Sequence, residues 1–181
     1  MKYKTIYADP PWLERGAGKC KRGADRHYSL MSLDSIKSWF SQNVIENIDD
    51  NCHLYLWVTN NHLEEGLDLM KWLGFRYITN IIWVKDKIGL GQYFRGQHEI
   101  LLFGVKGDFY SGSRKETTVI YNSRDKHSKK PYGVYKKIEN VSLPPRLECF
   151  SRHKREGWDC IGNETPIDTQ KILNLDILNL N

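Results

Sequence analysis

The chain has 181 residues, of which 40% are hydrophobic and 27% charged, and it carries a formal net charge of +5. This composition suits one globular domain, and no apolar run is long enough to cross a membrane. The N-terminal residues lack the apolar core of a secretory signal, so we predict a cytoplasmic protein. The four cysteines lack the paired spacing of a zinc ribbon, and we predict neither a metal site nor a disulfide.

Apolar periodicity predicts strands and helices in alternation. In chain order we expect strand 3–8, helix 32–47, strand 52–58, helix 62–73, strands 77–85 and 98–107, a polar loop at 108–130, helix 131–141, strand 146–152 and a closing segment at 157–164. The tail that follows could form a short amphipathic helix. The catalytic domain would thus span 1–164 and the C-terminal tail 165–181.

Three local signals mark the ends of the first two helices. Ser32 is placed to cap the first helix, and Asn60 or Asn61 could cap the second. Gly74 is placed to end the second helix. The apolar residues of the second helix that fall on one side, and that we expect to be buried, are Leu63, Leu67, Met70 and Leu73.

The order of these elements predicts an α/β fold with a mainly parallel sheet. Strands that alternate with helices and are almost continuously apolar are typical of a sheet covered by helices on both faces. No helix separates strand 77–85 from strand 98–107, so a local antiparallel arrangement is expected there.

The first strand ends in the sequence Asp9-Pro10-Pro11-Trp12. Ligands of doubly wound sheets bind outside the carboxyl ends of the strands, where Asp9 is expected to lie. The prolines would stiffen the segment and leave carbonyl acceptors free, while Trp12 offers a flat ring. The Asp9 carboxylate and the Pro10 carbonyl could each accept one N–H of an exocyclic base amine, which would direct its lone pair at a methyl donor. The alternative is that the motif is only a turn.

Six segments resemble a known family in the same order: YADPPW, HYSLMSLDSIK, LYLWVTNNHLEEGLDLMKWLGFRYITNIIWVK, RGQHEILLFGVKG, HSKKPYGVY and RLECFSRHKREGWDCIGNE. The chain resembles the METTL-type (MT-A) family of S-adenosylmethionine-dependent N6-adenine methyltransferases. The resemblance implies a Rossmann-like methyltransferase fold with a permuted motif order. The catalytic motif would come first and the cofactor-binding strand RLECFSR last.

The resemblance also implies roles for individual residues. Asp9 would contact the target amine and the methionine end of the cofactor, the prolines would shape the amine pocket, and Trp12 would flank or stack on the adenine. Lys130 would sit near the cofactor carboxylate, and Arg152 near its ribose or adenine. The residues expected at S-adenosylmethionine are Tyr7, Ala8, Asp9, Ser128, Lys130, Glu148, Phe150, Arg152, Asn163 and Glu164.

Several of these residues have a structural alternative. Glu148 could equally be a buried acceptor, and we favour a structural role for the pair His98-Glu99 and for His53. The turn after the cofactor strand reads FSRHK and lacks the glycine that many methyltransferases carry, so Ser151 would lose the positive φ that glycine allows.

Basic residues concentrate in three predicted loops, at 13–28, 85–97 and 111–130, and the second also contains Tyr93 and Phe94. Cations for phosphates beside rings for a displaced base are typical of nucleic-acid binding. The candidates are Arg15, Lys19, Lys21, Arg22, Arg26, Lys87, Arg95, Arg114 and Lys126.

The compact length favours a DNA methyltransferase of bacterial or phage type. RNA N6-adenosine methylation is the nearest alternative, followed by a non-catalytic nucleic-acid-binding subunit and a cytosine-amine methyltransferase. We predict DNA as the partner, with RNA possible, and a second copy or a partner subunit could supply target recognition.

Overall fold

The computed structural model describes residues 1–13, 30–89, 91, 93–108, 112–113, 115–122 and 130–162. These residues form a seven-stranded sheet and three α-helices. The elements are β1 (Tyr3–Ala8), α1 (Leu33–Asn43), β2 (Ile48–Val58), α2 (Leu63–Trp72), β3 (Arg76–Val84), β4 (His98–Lys106), β5 (Val119–Tyr121), α3 (Gly133–Val141), β6 (Arg146–Cys149) and β7 (Asp159–Ile161).

The strands are ordered β5-β3-β4-β2-β1-β6-β7 across the sheet. β1 is parallel to both of its neighbours, β2 and β6, and β6 is parallel to β7. β4 is antiparallel to β2 and β3 because the chain returns from β3 through a hairpin loop. The predicted Rossmann-like, mainly parallel sheet and its local antiparallel pair are therefore confirmed.

The two faces of the sheet are buried under different helices. In β1, Ile6 and Ala8 pack in the cluster that contains buried residues of α1 and α2. Tyr7 points to the opposite face and packs in the cluster that contains Val134 and Ile138 of α3. This alternation follows from the two-residue period of a strand. It confirms the prediction that helices cover both faces.

The helix-end signals are confirmed in two places and wrong in one. The Ser32 hydroxyl accepts a hydrogen bond from the backbone N–H of Ser35 at 3.2 Å, as expected for an N-cap. Gly74 has φ +85°, the left-handed conformation that commonly follows a helix end. The second helix begins only at Leu63, after a 3-10 turn over Asn60–His62, so neither asparagine is its cap.

The predicted apolar side of the second helix is confirmed for Met70 and Leu73, which are buried, and wrong for Leu63 and Leu67. Leu63 and Leu67 are each 37% exposed, whereas Gly66 and Leu69 are buried together with Met70. Gly66 allows close packing of this side on the sheet, since a Cβ there would lie 2.4 Å from Val58 Cγ1.

Other boundaries shifted where local signals were weak. α1 ends at Asn43 and is followed by a 3-10 turn over Ile45–Asn47. β5 lies within a stretch predicted to be loop, because three residues carry too little periodicity to be recognised. No helix among the described ranges is both long and apolar enough to cross a membrane.

Candidate active site

β1 runs through the parallel part of the sheet, and its carboxyl end leads directly into Asp9. Its last residue, Ala8, pairs with Leu56 of β2 on one side and Cys149 of β6 on the other. The two prolines that follow cannot donate hydrogen bonds to a neighbouring strand, so the strand ends there. Asp9 consequently lies at the sheet edge where ligands of parallel sheets bind.

Four charged side chains meet at this edge, and we call Asp9, Lys85, Glu99 and Lys130 the Asp9 cluster. Lys130 Nζ lies 2.8 Å from Asp9 Oδ1 and 3.3 Å from Glu99 Oε2. Lys85 Nζ forms a second ion pair with Glu99. The ammonium of Lys130 also lies 5.2 Å from the ring centre of Trp57. Two anions and two cations therefore balance one another in a largely buried site.

The surroundings shift the pKa values of this cluster in different directions. Burial raises the pKa of Asp9 above its ordinary value, and the charge of Lys130 offsets only part of the rise. Burial opposes the charge on Lys130, but Asp9 and Glu99 outweigh it and raise the pKa of Lys130. Burial also opposes the charge on Glu99, but Lys130 and Lys85 hold its pKa below the ordinary value. Lys130 and Glu99 are thus firmly charged, and the ionisation of Asp9 depends on Lys130.

Trp12 supports the motif from inside the protein. Its Nε1 donates a hydrogen bond to the Trp57 carbonyl at 2.9 Å, and its ring stacks on His62 with 5.5 Å between ring centres. His62 Nε2 is in turn 3.0 Å from the Leu13 carbonyl in a hydrogen bond. Trp12 is only 7% exposed. The ring is therefore packed inside the protein, and little of it is open to the adenine that it was predicted to flank or stack on.

The proline carbonyls are less free than the sequence analysis expected. Pro10 O accepts a hydrogen bond from the backbone N–H of Trp12 at 2.9 Å. Pro11 O accepts one from Met31 at 2.8 Å, and Met31 O accepts one from Leu13 at 3.0 Å. These bonds rigidify the motif. Because a carbonyl oxygen has two lone pairs, Pro10 O can still accept one further bond.

The side chains of Tyr7 and Ala8 form part of the core below the site. Both residues are buried, with exposures of 1% and 0%. The Tyr7 hydroxyl accepts a hydrogen bond from Trp57 Nε1 at 2.7 Å, and its ring lies 5.1 Å from that of Tyr135. Their side chains are therefore part of the core, and the predicted cofactor contact of Tyr7 and Ala8 stays a prediction.

The turn after β6 reaches a left-handed conformation without glycine. Phe150 has φ +59°, and its ring stacks on Trp39 with 4.0 Å between ring centres. The next residue, Ser151, donates its N–H to the Ile161 carbonyl at 3.0 Å. A Cβ on Gly162 would lie 2.2 Å from Ser151 O, so the two turns touch backbone to backbone. Ser151 itself does not take a positive φ, as expected, and the phenylalanine before it adopts one instead.

Glu148 faces this same edge from inside β6. Its Oε1 accepts a hydrogen bond from the Tyr135 hydroxyl at 2.9 Å. Its Oε2 is buried without a hydrogen-bond partner among the described residues, although Arg155 Nε lies 3.7 Å away. Burial raises the pKa of Glu148, which the hydrogen bond from Tyr135 partly opposes. One carboxylate oxygen thus has a structural hydrogen bond, and the other is buried beside Arg155 with its hydrogen-bonding capacity unused by the described residues.

A family model of MT-A70 matches residues 3–164 of the chain. The chain belongs to the MT-A70 family. It is 27% identical to the type II methyltransferase M.MunI of Mycoplasma sp, over 91% of this chain and 78% of that protein. It is 28% identical to the N(6)-adenosine-methyltransferase catalytic subunit METTL3 of Homo sapiens, over 98% of this chain and 30% of that protein. For the probable N(6)-adenosine-methyltransferase MT-A70-like protein of Oryza sativa subsp. japonica, identity is 29% over 90% of this chain and 23% of that protein.

The family assignment confirms the resemblance drawn from the ordered segments. MT-A70 proteins are S-adenosylmethionine-dependent methyltransferases, and the seven-stranded sheet described above is consistent with their Rossmann-like fold. The chain spans less than a third of the length of the two N(6)-adenosine methyltransferases but more than three quarters of M.MunI.

The described residues of the MT-A70 chain include only part of the predicted site. Asp9, Lys130, Glu148, Phe150 and Arg152 lie at the same edge of the sheet, at or just beyond strand ends. Lys87 and Arg95 are exposed in the loop between β3 and β4. The predicted residues that lie outside the described ranges are Ser128, Asn163, Glu164, Arg15, Lys19, Lys21, Arg22, Arg26, Arg114 and Lys126.

Glu99 is the residue that sequence reasoning in this MT-A70 chain undervalued. It was expected to be structural, yet it joins Lys85 to Lys130 beside Asp9. The sequence carried no local signal for this contact, because the pairing of Trp83 with Glu99 becomes visible only in the strand register. His53 is a buried core histidine, hydrogen-bonded through Nδ1 to Ser142, as predicted.

Proposed function

We propose that this chain transfers a methyl group from S-adenosylmethionine to the N6 amine of adenine in DNA. The observation that carries the proposal is the Asp9 carboxylate, held by Lys130 at the end of β1 in a chain of the MT-A70 family. The Asp9 side chain is 28% exposed and is therefore reachable by a ligand.

The donors and acceptors at this edge fit the chemistry of S-adenosylmethionine. Lys130 would hold its carboxylate, Asp9 would accept from its ammonium group, and Glu148 Oε2 would accept from a ribose hydroxyl. The fit is supported by the buried Oε2 atom, which has no other hydrogen-bond partner among the described residues. When bound, S-adenosylmethionine supplies a methyl group activated by a sulfonium charge.

The chain's own residues would orient the amine. Asp9 and the remaining lone pair of Pro10 O would accept the two N–H groups, which directs the nitrogen lone pair outward. Lys130 and, at longer range, Arg152 favour the ionised form of Asp9, which is the form that accepts. Catalysis would then rest on orientation and electrostatics, with no covalent bond to the protein.

DNA is the preferred polymer because the similarity to a type II methyltransferase covers most of both chains. The similarity to N(6)-adenosine methyltransferases makes RNA the second candidate. A base inside a duplex cannot reach Asp9, so the substrate is either single-stranded or has its adenine flipped out.

The test is transfer of tritiated methyl groups to DNA and RNA, followed by digestion to nucleosides. We expect N6-methyladenine in DNA for the wild type, and a loss of roughly 100- to 1,000-fold in Asp9→Asn, because the amide accepts far less strongly than a carboxylate. Asp68→Asn is the control, since Asp68 forms an ion pair with Lys37 at 2.6 Å on the helical face of the protein.

Each other result points to a specific alternative. Label found only in RNA adenosine would identify the chain as an RNA methyltransferase. Label found in cytosine would show that cytosine, not adenine, is the target base. Undiminished transfer by Asp9→Asn would remove Asp9 from the mechanism. No transfer to any polymer by the wild type would favour the non-catalytic subunit.

A further inference from the structure

The loop between β3 and β4 is a closed hairpin. Lys85 N donates to Gln97 O at 2.9 Å, and Gln97 Nε2 donates back to Lys85 O at 3.0 Å. Further out, Gly89 N donates to Gly96 O and Arg95 Nε donates to Gly89 O, each at 2.6 Å. These cross-loop bonds give the hairpin a defined base from which its tip projects.

Two neighbouring rings stand at the tip of this hairpin. Tyr93 is 94% exposed and Phe94 is 91% exposed, so neither ring contributes to the core. A Cβ on Gly91 would lie 1.9 Å from Phe94 O, so the tight backbone that presents the rings requires glycine there. Adjacent aromatic rings that are almost fully exposed are typical of a recognition surface.

The hairpin begins and ends at the Asp9 cluster. Lys85 follows the end of β3 and Glu99 is the second residue of β4, and the two form an ion pair. Residues 87–97 include Lys87 and Arg95 but no acid, so this part of the loop carries a net positive charge. A positive loop with two free rings, rooted beside the candidate active site, is complementary to a strand of bases and phosphates.

We propose that Tyr93 and Phe94 form a stacking wedge that packs against the DNA bases flanking the target adenine. The proposal rests on the proposed function. Taking an adenine out of its stack costs a few kcal/mol, and rings that replace the lost stacking partner offset that cost. The wedge would hold the strand open while Asp9 engages the amine.

The test is oligonucleotide binding by the double variant Tyr93→Ala/Phe94→Ala, measured by fluorescence anisotropy without cofactor. The probes are a single-stranded DNA with one adenine, and its duplex with an abasic site opposite that adenine. We expect binding to both probes to weaken by at least roughly 30-fold, because stacking on one ring contributes about 5-fold or more and the variant removes two rings. The double variant Tyr93→Phe/Phe94→Tyr keeps two rings and should bind as tightly as the wild type. The double variant Tyr93→Leu/Phe94→Leu keeps apolar bulk without a ring and should bind as weakly as the double alanine variant.

Tyr77→Ala is the matched control, because Tyr77 is a 45% exposed ring near the start of β3, at the end of that strand away from the hairpin. A second readout uses 2-aminopurine placed next to the target adenine. Stacking on the wedge quenches its fluorescence in the wild type, and the quenching should disappear in the double alanine variant.

Unchanged oligonucleotide affinity in the double alanine variant would overturn the wedge, and so would an equal loss in Tyr77→Ala. If the wild type is a dimer, the double variant is a monomer and their oligonucleotide affinities are equal, the tip is a protein interface instead. The binding assay is independent of methyl transfer. If the wild type binds the oligonucleotides but transfers no methyl group, and the double alanine variant binds them more weakly, then the proposed function fails while the wedge is retained.

Discussion

At the scale of single residues, the central feature is a carboxylate in a site where burial works against its charge. Desolvation raises the pKa of Asp9, and Lys130, at 2.8 Å, is the counter-charge that opposes this rise. Removing one partner of such a pair leaves an uncompensated charge, so these positions should tolerate little change. Glu99 completes the arrangement because it holds Lys130 from the other side.

Glu99→Gln tests whether Glu99 is a positioning residue. Its negative charge contributes to the raised pKa of Asp9, so its removal should lower that pKa and move the acid limb of the pH–activity profile to lower pH. The loss of one anchor for Lys130 should reduce kcat roughly 10- to 100-fold. Methyl-transfer rates measured across pH report both effects.

Glu116→Gln is the matched control for this experiment. Glu116 forms an ion pair with Lys137 at 2.9 Å, away from the Asp9 cluster, so its loss should leave the profile unchanged. Glu99→Asp, which keeps the charge, should retain the wild-type acid limb. An acid limb that does not move in Glu99→Gln would show that Glu99 does not act on Asp9.

At the scale of elements, the turn after β6 packs closely against the backbone at the end of β7. The turn after β6 rests on Gly162, and Phe150 takes a left-handed conformation that costs a non-glycine residue about 1–2 kcal/mol. Stacking on Trp39 accompanies that conformation. Strain of this kind is common at ligand sites, and the role of this turn in cofactor binding stays a prediction.

Gly66→Ala tests the approach of α2 to the sheet. A Cβ there would lie 2.4 Å from Val58 Cγ1 and 3.1 Å from Leu102 Cδ1. We expect this overpacking to outweigh the helix propensity of alanine and to lower the free energy of unfolding by about 1–2 kcal/mol. Urea unfolding measures the change.

Gly133→Ala is the opposite case in α3. Within the described part of the chain, no heavy atom lies closer than 4 Å to the position that a Cβ would take at Gly133, so alanine should be neutral or add up to about 1 kcal/mol. Equal effects of the two substitutions would contradict the packing explanation.

At the scale of the whole molecule, the sheet gathers residues that are far apart in the sequence. Strand β2 carries His53, which is fully buried and joined through Nδ1 to Ser142, just after α3, at 2.7 Å. Tyr55 binds the same hydroxyl at 2.7 Å. This polar contact connects the sheet to the end of α3. A charge on the buried His53 would therefore change the free energy of unfolding of the whole domain.

The stability of the molecule should therefore depend on the charge of His53. Burial lowers the pKa of His53 from 6.5 to about 4. As the pH falls below 6.5, the unfolded chain binds a proton that the folded chain does not, so stability falls between pH 6.5 and about 4. The total loss from this group is about 3 kcal/mol.

Urea unfolding at several pH values, compared between the wild type and His53→Gln, measures this contribution. Glutamine does not titrate and should flatten the slope over that window. His98→Gln is the matched control, because it makes the same exchange at an exposed position. Identical slopes for the wild type and His53→Gln would contradict the assignment.

The sequence by itself determined the features that depend on near neighbours along the chain. The cap at Ser32 and the glycine stop at Gly74 each involve contacts within a few residues. Strand periodicity indicated the mainly parallel sheet, and the six ordered segments indicated the family. Asp9 at the end of the first strand followed from the abrupt change from apolar residues to prolines.

Only the tertiary structure decided how the site is assembled. Antiparallel and parallel strand pairing brings Glu99, and Lys85 paired with it, to the same end of the sheet as Asp9, and Lys130, which precedes α3, joins Asp9 to Glu99. The burial of Trp12 depends on contacts with Trp57 and His62. Such contacts join residues tens of positions apart, and local sequence patterns carry no information about their distance or direction.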